Sequence, residues 1–383
     1  MRAFVLAAIA AVVLPAEALA NCAAPIGRNF PTASLAEANL DPASLAALND
    51  ELDAAGMEIR ALLVIRSCKL AFERYRSDLG RENIHVVHSV TKSFTTTLVG
   101  HLLSTGAIAS LDTPIASLVA KPGPATAEMW ANAERITLRH ALGMTSGLEY
   151  THRPAAHSIY RVENDRVFEA IKPPLVQAPG ARFNYSDGDA TLYGAAVAAA
   201  GKANLLTLAR SVLFTPMDFG RHEWQYPDRE GRYPGGWSLR LRAMDAAKLG
   251  QLYLQGGRWD GRQIFAESFR QTVWTAGPRA DYALGWWIWR DSQVGVPLYL
   301  ASGWKGQRVF VYPTLDMTVV VISSLPDAEA PVMSRAVARH SARAGRTGYR
   351  PDPAAEQKLA AVALAGFRGT LRVDQHVQDH PGR

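Results

Sequence analysis

Cysteine is nearly absent. The 383 residues hold only Cys22 and Cys68, and no further ligand or partner stands near either to make a metal site or a thiol nucleophile. Beyond the first twenty residues no stretch stays apolar long enough to cross a bilayer as a helix, so no integral membrane span is expected. Lysine- and arginine-rich blocks are also missing. The 41 basic and 35 acidic side chains, net +6, are scattered along the chain, which excludes nucleic acid as an expected partner. There is no internal repeat. Several common catalytic signatures are lacking too. No Gly-x-Ser-x-Gly elbow occurs, since Gly143-Met-Thr-Ser-Gly147 carries its serine one place too late. No His-Glu-x-x-His, phosphate loop or dinucleotide fingerprint is found, and His85 and His88 have no third ligand. Neither a metal nor a cofactor is expected.

What is present begins at the N-terminus. Arg2, an apolar run over 3–15 and Ala18-Leu-Ala20 before Asn21 have the layout of a secretory signal peptide over 1–20. Asn21 stands where a lipoprotein would need a small residue before Cys22. The mature protein is therefore expected to be exported, periplasmic or secreted. Export permits a disulfide, and two cysteines allow one intramolecular pairing. Cys22–Cys68 is expected to pin the arm at 21–40 to a turn between two strands, the alternative being two free thiols.

With 48% hydrophobic residues the chain can bury a sizeable core, as one large domain or two. Asp41-Pro42 supplies a cap and a first-turn proline for a helix to about Gly56. Segments 59–65 and 69–75 read as a hairpin turning at Arg66, Ser67 and Cys68, and 84–88 leads into a helix over 89–106. Residues 107–220 are richer in helix, loop and proline, with helices at 188–200 and 203–214 and a polar, loop-rich insertion at 149–175. A helix over 242–254 follows, then apolar runs at 282–290, 298–301, 307–312 and 317–323 that read as antiparallel strands. Helices at 330–343 and 354–366 come before a tail whose last dozen residues are expected to be disordered. Strands at both ends and helices between them predict an α+β fold: an antiparallel sheet from N- and C-terminal segments, flanked by helices, with a mostly helical insertion.

Three short stretches carry candidate chemistry. In Ser89-Val-Thr-Lys92 the serine and lysine lie one helical turn apart on one face, beside the free N–H groups of a helix N-terminus. Such a serine is a candidate nucleophile; a capping serine with an exposed lysine behind it is the plainer alternative. Phe183-Asn-Tyr-Ser-Asp187 places a tyrosine just before a helix, where simple packing would also account for it. Ala301-Ser-Gly-Trp-Lys-Gly-Gln307 heads a strand with two close glycines, which permit the near approach of a substrate or another backbone. His140 reads as a hydrogen-bonded histidine within a packed helix.

Taken in order and spacing, these stretches resemble the serine β-lactamase and penicillin-binding superfamily. The nearer likeness is to its class C branch, with the β-lactamase-like esterases and 6-aminohexanoate-dimer hydrolases. Segment 136–148, Gly235-Gly-Trp-Ser238, Gly285-Trp286-Trp287 and Gly303 to Pro313 agree with it, and the resemblance covers roughly 40–345. It implies a hydrolase domain over 41–345, with a helical subdomain at 107–235 and a partly disordered extension at 346–383. It also implies that Ser89 forms an acyl-enzyme, that Lys92 and Tyr185 are the proton-transfer pair, and that the backbone N–H groups of Ser89 and Trp304 form the oxyanion hole. Which of Lys92 and Tyr185 is the base stays open.

The chain also departs from the pattern. Where penicillin-recognising relatives carry Lys-Thr-Gly, this sequence has Ala301-Ser302-Gly303, with Lys305 as a substitute cation. Asp187 stands in place of the asparagine of Tyr-x-Asn, where it is expected to face the substrate and repel an anion. Gly303, Lys305 and Gln307 are further expected substrate contacts, and Tyr150 and Tyr160 are expected to close over the site from the insertion. Trp237, Trp286, Trp287 and Trp304 are candidates for an acyl pocket, with core packing the expected role of Trp286 and Trp287. The implied function is ester or amide hydrolysis of a small substrate. A β-lactamase or D-alanyl-D-alanine carboxypeptidase, and a non-catalytic binding protein on the same fold, are the alternatives. Nothing in the sequence specifies an oligomeric state.

Overall fold

The computed structural model describes residues 22, 24–151, 158–275, 277 and 279–368. The signal-peptide assignment and the tail expected to be disordered lie outside the described residues. Helix α1 (Pro42–Ala54) opens on Asp41, whose side chain accepts from Ser44 N. Strands β1 (Ile59–Arg66) and β2 (Lys69–Tyr75) form the expected hairpin. Its turn residues Ser67 and Cys68 have φ of 49° and 63°, the left-handed pair that matches strand twist in a two-residue hairpin loop. Cys68 is disulfide-bonded to Cys22 there, with Cα atoms 5.5 Å apart. The arm is fastened further along by buried Ile26 and Phe30 and by a bridge from Thr32 to Leu70.

Strand β3 (Ile84–Val86) leads into α2 (Val90–Ser104), and the helical region follows with α3 (Ala127–Glu134), α4 (Leu138–Leu142), α5 (Arg166–Ile171), α6 (Asp187–Ala200) and α7 (Leu205–Ala209). Strands β4 (Glu223–Trp224) and β5 (Leu239–Arg242) pair beside β3 in a small sheet of order β3-β5-β4. Helix α8 (Ala243–Leu254), the ribbon β6 (Arg258–Trp259) and β7 (Arg262–Gln263), and α9 (Glu267–Trp274) come before the C-terminal strands. These are β8 (Tyr282–Ala283), β9 (Trp286–Ile288), β10 (Tyr299–Gly303), β11 (Gln307–Tyr312) and β12 (Met317–Ser323), followed by α10 (Glu329–Thr347) and α11 (Pro353–Ala365).

The main sheet has the order β2-β1-β12-β11-β10-β9-β8, with every pairing antiparallel. N- and C-terminal segments thus build one α+β sheet, as the sequence predicts. Its central strands β11 and β12 are buried along their whole length because both faces are covered. Leu62, Val64, Phe310, Val319 and Val321 pack into one core with α1, α10 and α11. Leu63, Ile65, Val309, Val311 and Val320 face the other way, into the core shared with α2, α8 and the helical region. Among the described residues no single helix is long and apolar enough to cross a membrane.

The run 282–290 is two short strands rather than one. It folds back at Leu284-Gly285, with Gly285 at φ +77° and its carbonyl accepting from Ser93 Oγ at 2.7 Å. A Cβ on Gly285 would stand 2.2 Å from Thr96 Oγ1, so only glycine lets this hairpin tip dock on α2. Helix α2 is itself buried without a break from Val90 to Gly100, the pattern of a core helix rather than an amphipathic one.

Candidate active site

Ser89 stands at the N-cap of α2 with φ −69° and ψ −5°, yet its side chain makes no capping hydrogen bond. The turn is held instead by its neighbours: Thr91 Oγ1 donates to His88 O at 2.6 Å, and Val90 N donates to Val87 O. The plain capping role is therefore ruled out, and the Ser89 hydroxyl is left to face Lys92, whose Nζ lies 3.1 Å from Ser89 Oγ. Nor is Lys92 an exposed lysine: it is 1% exposed. Its Nζ donates to Ser89 Oγ, to Asp187 Oδ1 at 2.5 Å and to Gly236 O at 3.2 Å, and it also interacts with Tyr185. Burial pulls the Lys92 pKa down, and the Asp187 carboxylate together with Tyr185 more than reverses this, so it is held above the ordinary lysine value.

Tyr185 comes from the loop that enters α6. Its ring centroid lies 4.8 Å from Lys92 Nζ, and it is stacked on Trp287 at 5.8 Å with Tyr282 edge-on at 6.0 Å. The β8–β9 hairpin thus forms the wall behind it. Ser186 caps α6 by accepting from Asp189 N, which sets Asp187 in the first helical turn, where the helix dipole favours a carboxylate.

Asp187 does not face a substrate as the sequence led us to expect. It is buried, with one oxygen on Lys92 and the other accepting from Tyr160 Oη at 2.5 Å. Tyr150 Oη lies 3.0 Å from Tyr160 Oη, and both rings sit in a buried cluster with Ile159 and Trp237. These two tyrosines are accordingly part of the wall behind Asp187 and not a cover over the site. The reason lies in Arg166, buried in α5, which donates to Ile159 O at 2.8 Å and Tyr226 O at 2.6 Å and draws the segment inward. Trp237 packs against Tyr160 at 5.0 Å, Trp286 is fully buried, and Trp287 is half-buried against Tyr185.

The opposite side is the end of β10. A Cβ on Gly303 would stand 2.4 Å from Val87 O and 3.2 Å from His88 Cβ, so glycine lets the strand edge reach the turn before Ser89. Trp304 follows, 48% exposed, with its indole N–H donating to Asp327 Oδ1 at 2.6 Å and its ring meeting His88 edge-on at 5.6 Å. Lys305, at φ 59°, lies with Nζ 5.2 Å from the Trp304 ring, at the rim. Gln307 is not a substrate contact. Its buried amide donates to Trp304 O and Ser323 O and accepts from Ser323 N, which ties β11 to β12. Ala301 is fully buried in the core, so no cation stands at that position.

Two contributors went unrecognised in the sequence. The Gly236 carbonyl is one; its signal is the Gly235-Gly236 pair, because a Cβ on Gly235 would stand 2.3 Å from Ala190 O and one on Gly236 3.0 Å from Lys92 Nζ, so only glycines let this loop lie so close. Arg308 is the other, a buried guanidinium that donates to the carbonyls of Gly303 and Gln307 and to Ser334 Oγ, and so braces the end of β10. His140 has the expected hydrogen-bonded role, its Nδ1 accepting from Thr137 N in a capping box. Among the described residues no group of three or more His, Cys, Asp or Glu is placed to hold a metal.

Comparison with known proteins agrees with this fold. The chain is 22% identical over 338 residues to the 6-aminohexanoate-dimer hydrolase of Paenarthrobacter ureafaciens, an alignment covering 79% of this chain and 85% of that protein. A structure from Bacillus anthracis, assigned as a 6-aminohexanoate-dimer hydrolase, superposes with a TM-score of 0.66 at 20% identity, covering 82% of this chain and 88% of its own. EstCE1, a hydrolase with promiscuous acyltransferase activity, superposes with a TM-score of 0.61 at 15% identity, covering 78% and 99%. The beta-lactamase family model matches residues 46–344. With most of its length so matched, the chain belongs to the beta-lactamase family.

Proposed function

We propose that this beta-lactamase-family hydrolase is exported and cleaves an ester or amide bond of a small substrate through an acyl-enzyme on Ser89. The observation that carries the reading is the Ser89 hydroxyl, released from capping at a helix N-terminus and bonded to the buried Lys92 ammonium. Ser89 Oγ attacks the carbonyl carbon as its proton passes to the Lys92–Tyr185 pair. The carbonyl oxygen takes the negative charge toward the N–H groups of Ser89 and Trp304, and loss of such a donor costs about 3 kcal/mol. The pair returns the proton to the leaving group. Water then attacks the acyl carbon, gives a proton to the pair, and Ser89 leaves with that proton.

A neutral or weakly acidic substrate is favoured. Ala301 supplies no cation for a substrate carboxylate, and both Asp187 oxygens are engaged within the protein, so no side-chain amide is offered there. The Cys22–Cys68 disulfide supports export to an oxidising compartment. The test is hydrolysis of short-chain p-nitrophenyl esters, a chromogenic cephalosporin and a linear amide dimer by wild type and Ser89→Ala. Turnover of the ester or amide should fall at least about 10³-fold in the variant. Equal inertness on all three sinks the hydrolase reading in favour of a binding protein. Fastest turnover of the cephalosporin favours a β-lactamase.

A further inference from the structure

Relative to a Tyr-x-Asn pattern, the carboxylate at position 187 is the largest chemical change in this site, and it reaches back into the fold. Lys92 approaches one oxygen at 2.5 Å and Tyr160 Oη the other at 2.5 Å. Tyr160 spends its only proton on Asp187, so at the 3.0 Å contact Tyr150 must be the donor to Tyr160. The result is a directed chain: Tyr150 donates to Tyr160, Tyr160 to Asp187, and Lys92 to Asp187 and Ser89. Nothing in it faces a substrate except its end at Ser89. An asparagine would offer one acceptor where two donors converge.

We infer that Asp187 is a positioning residue that keeps Lys92 a cation turned toward Ser89, and that Tyr160 and Tyr150 are its built-in support. The inference rests on the serine-hydrolase reading and deepens it, because it makes Tyr185 the base and leaves Lys92 with no basic role. The surroundings suit this. Burial holds the Tyr160 and Tyr150 hydroxyls well above the usual tyrosine range, so both remain donors at every pH the fold meets. Arg166 and Trp237 fix the segment that carries Tyr160 from behind. Among the described residues, the other titratable groups whose charge bears on this cluster are Tyr185, Asp189 and Tyr193 on α6 and its lead-in, and Tyr282 on β8. None of these is a cation, but Tyr185 also feels the buried Arg308 guanidinium on β11. Desolvation acts on Lys92 in the opposite direction to Asp187, so removing the carboxylate leaves burial opposed by Tyr185 alone and the ammonium loses its proton at lower pH.

The test pairs a titration with kinetics. The chain has eight lysines, few enough for Lys92 to be assigned by ¹⁵Nζ and ¹³Cε NMR of lysine-labelled protein. In wild type the Lys92 signals should stay those of an ammonium past about pH 10, and in Asp187→Asn they should titrate about one pH unit or more lower. With p-nitrophenyl butyrate, the alkaline limb of the kcat profile should move down by the same interval. At pH 8 kcat should drop about 10-fold or more, while KM changes less than about 3-fold. Tyr160→Phe keeps the ion pair, so it should lower kcat a few-fold and leave the alkaline limb in place. Three results overturn the inference: a neutral Lys92 in wild type below about pH 9, an unmoved limb in Asp187→Asn, or a variant faster than wild type at neutral pH, as a basic lysine would give. If wild type proves no faster than Ser89→Ala on any substrate, the hydrolase reading fails, and the lysine titration still decides whether Asp187 holds Lys92 charged. If Asp187→Asn does not fold, the wild-type titration alone decides it.

Discussion

Replacing Gly303 by alanine adds one methyl group where β10 meets the turn before Ser89. The residue has φ −127°, so alanine adopts its backbone without strain and the effect is steric alone. The new Cβ would lie 2.4 Å from Val87 O and 3.1 Å from Gln307 Cβ. A carbon–oxygen contact relaxes to about 3.3 Å, so the strand end and the turn must separate by roughly 0.9 Å. An oxyanion donor is useful only over about 2.7–3.1 Å, a window narrower than that displacement. Trp304 N–H therefore leaves its place, and kcat should fall about 10²–10³-fold, or ~3–4 kcal/mol. Overpacking costs stability about 1–3 kcal/mol, which lowers Tm by only several degrees in a protein of this size. The assay is kcat on p-nitrophenyl butyrate beside a thermal melt, with Gly123→Ala as control because nothing lies within 4 Å of its added Cβ. A folded Gly303→Ala protein with kcat within about 3-fold of wild type would falsify the placement of the oxyanion hole at this strand edge.

Two stability predictions rest on features outside the site. The disulfide closes a sequence separation of 46, so chain entropy sets a ceiling of about 4 kcal/mol on its contribution. Reduction, or Cys22→Ser with Cys68→Ser, should lower Tm by up to about 5 °C, and a shift below ~1 °C would show that buried Ile26 and Phe30 hold the arm unaided. Asp316, at φ 47° in the turn before β12, has a buried Oδ1 with no hydrogen-bond partner, and burial pushes its pKa up to about 6. The folded state thus binds the proton more tightly than the unfolded chain, and stability is lost as pH rises from about 4 through 6. Asp316→Asn, which tolerates the same backbone, should be neutral at pH 4 and stabilise by about 1–2 kcal/mol at pH 8. A difference between the two melting curves that does not change with pH would count against it.

The hairpin at 59–75 and the strands at 307–312 and 317–323 could be read directly because each is a long apolar run with a turn signal beside it. Strands β4 and β8, at two residues each, carry no period at all, and the fold-back at Gly285 lies inside a run that stays apolar throughout. Ser89 and Lys92 were legible because their relation is local, one helical turn. The Lys92–Asp187 pair spans 95 residues, and only a buried tertiary contact reveals that the aspartate answers the lysine rather than the substrate. Tyr150 and Tyr160 looked like parts of a cover because their neighbours are polar. Arg166, a charge that the chain buries among carbonyl oxygens, reverses that reading.

The sheet order has a consequence for how the protein comes into being. Strand β1 lies between β2, its immediate successor, and β12, which is paired with it across about 250 residues, as in Ile65 with Thr318. During synthesis, then, Leu62 to Ile65 wait for most of the ribosome's transit as half of a hairpin with one open edge. Closing so long a loop is slow, and its entropy must be met before any of the non-local contacts form. The helix that begins at Ser89 is made in the first third of the chain, but its platform is completed by strands from the last quarter. Folding is thereby coupled to chain completion, and the waiting hairpin is the segment a chaperone must keep from pairing with its neighbours.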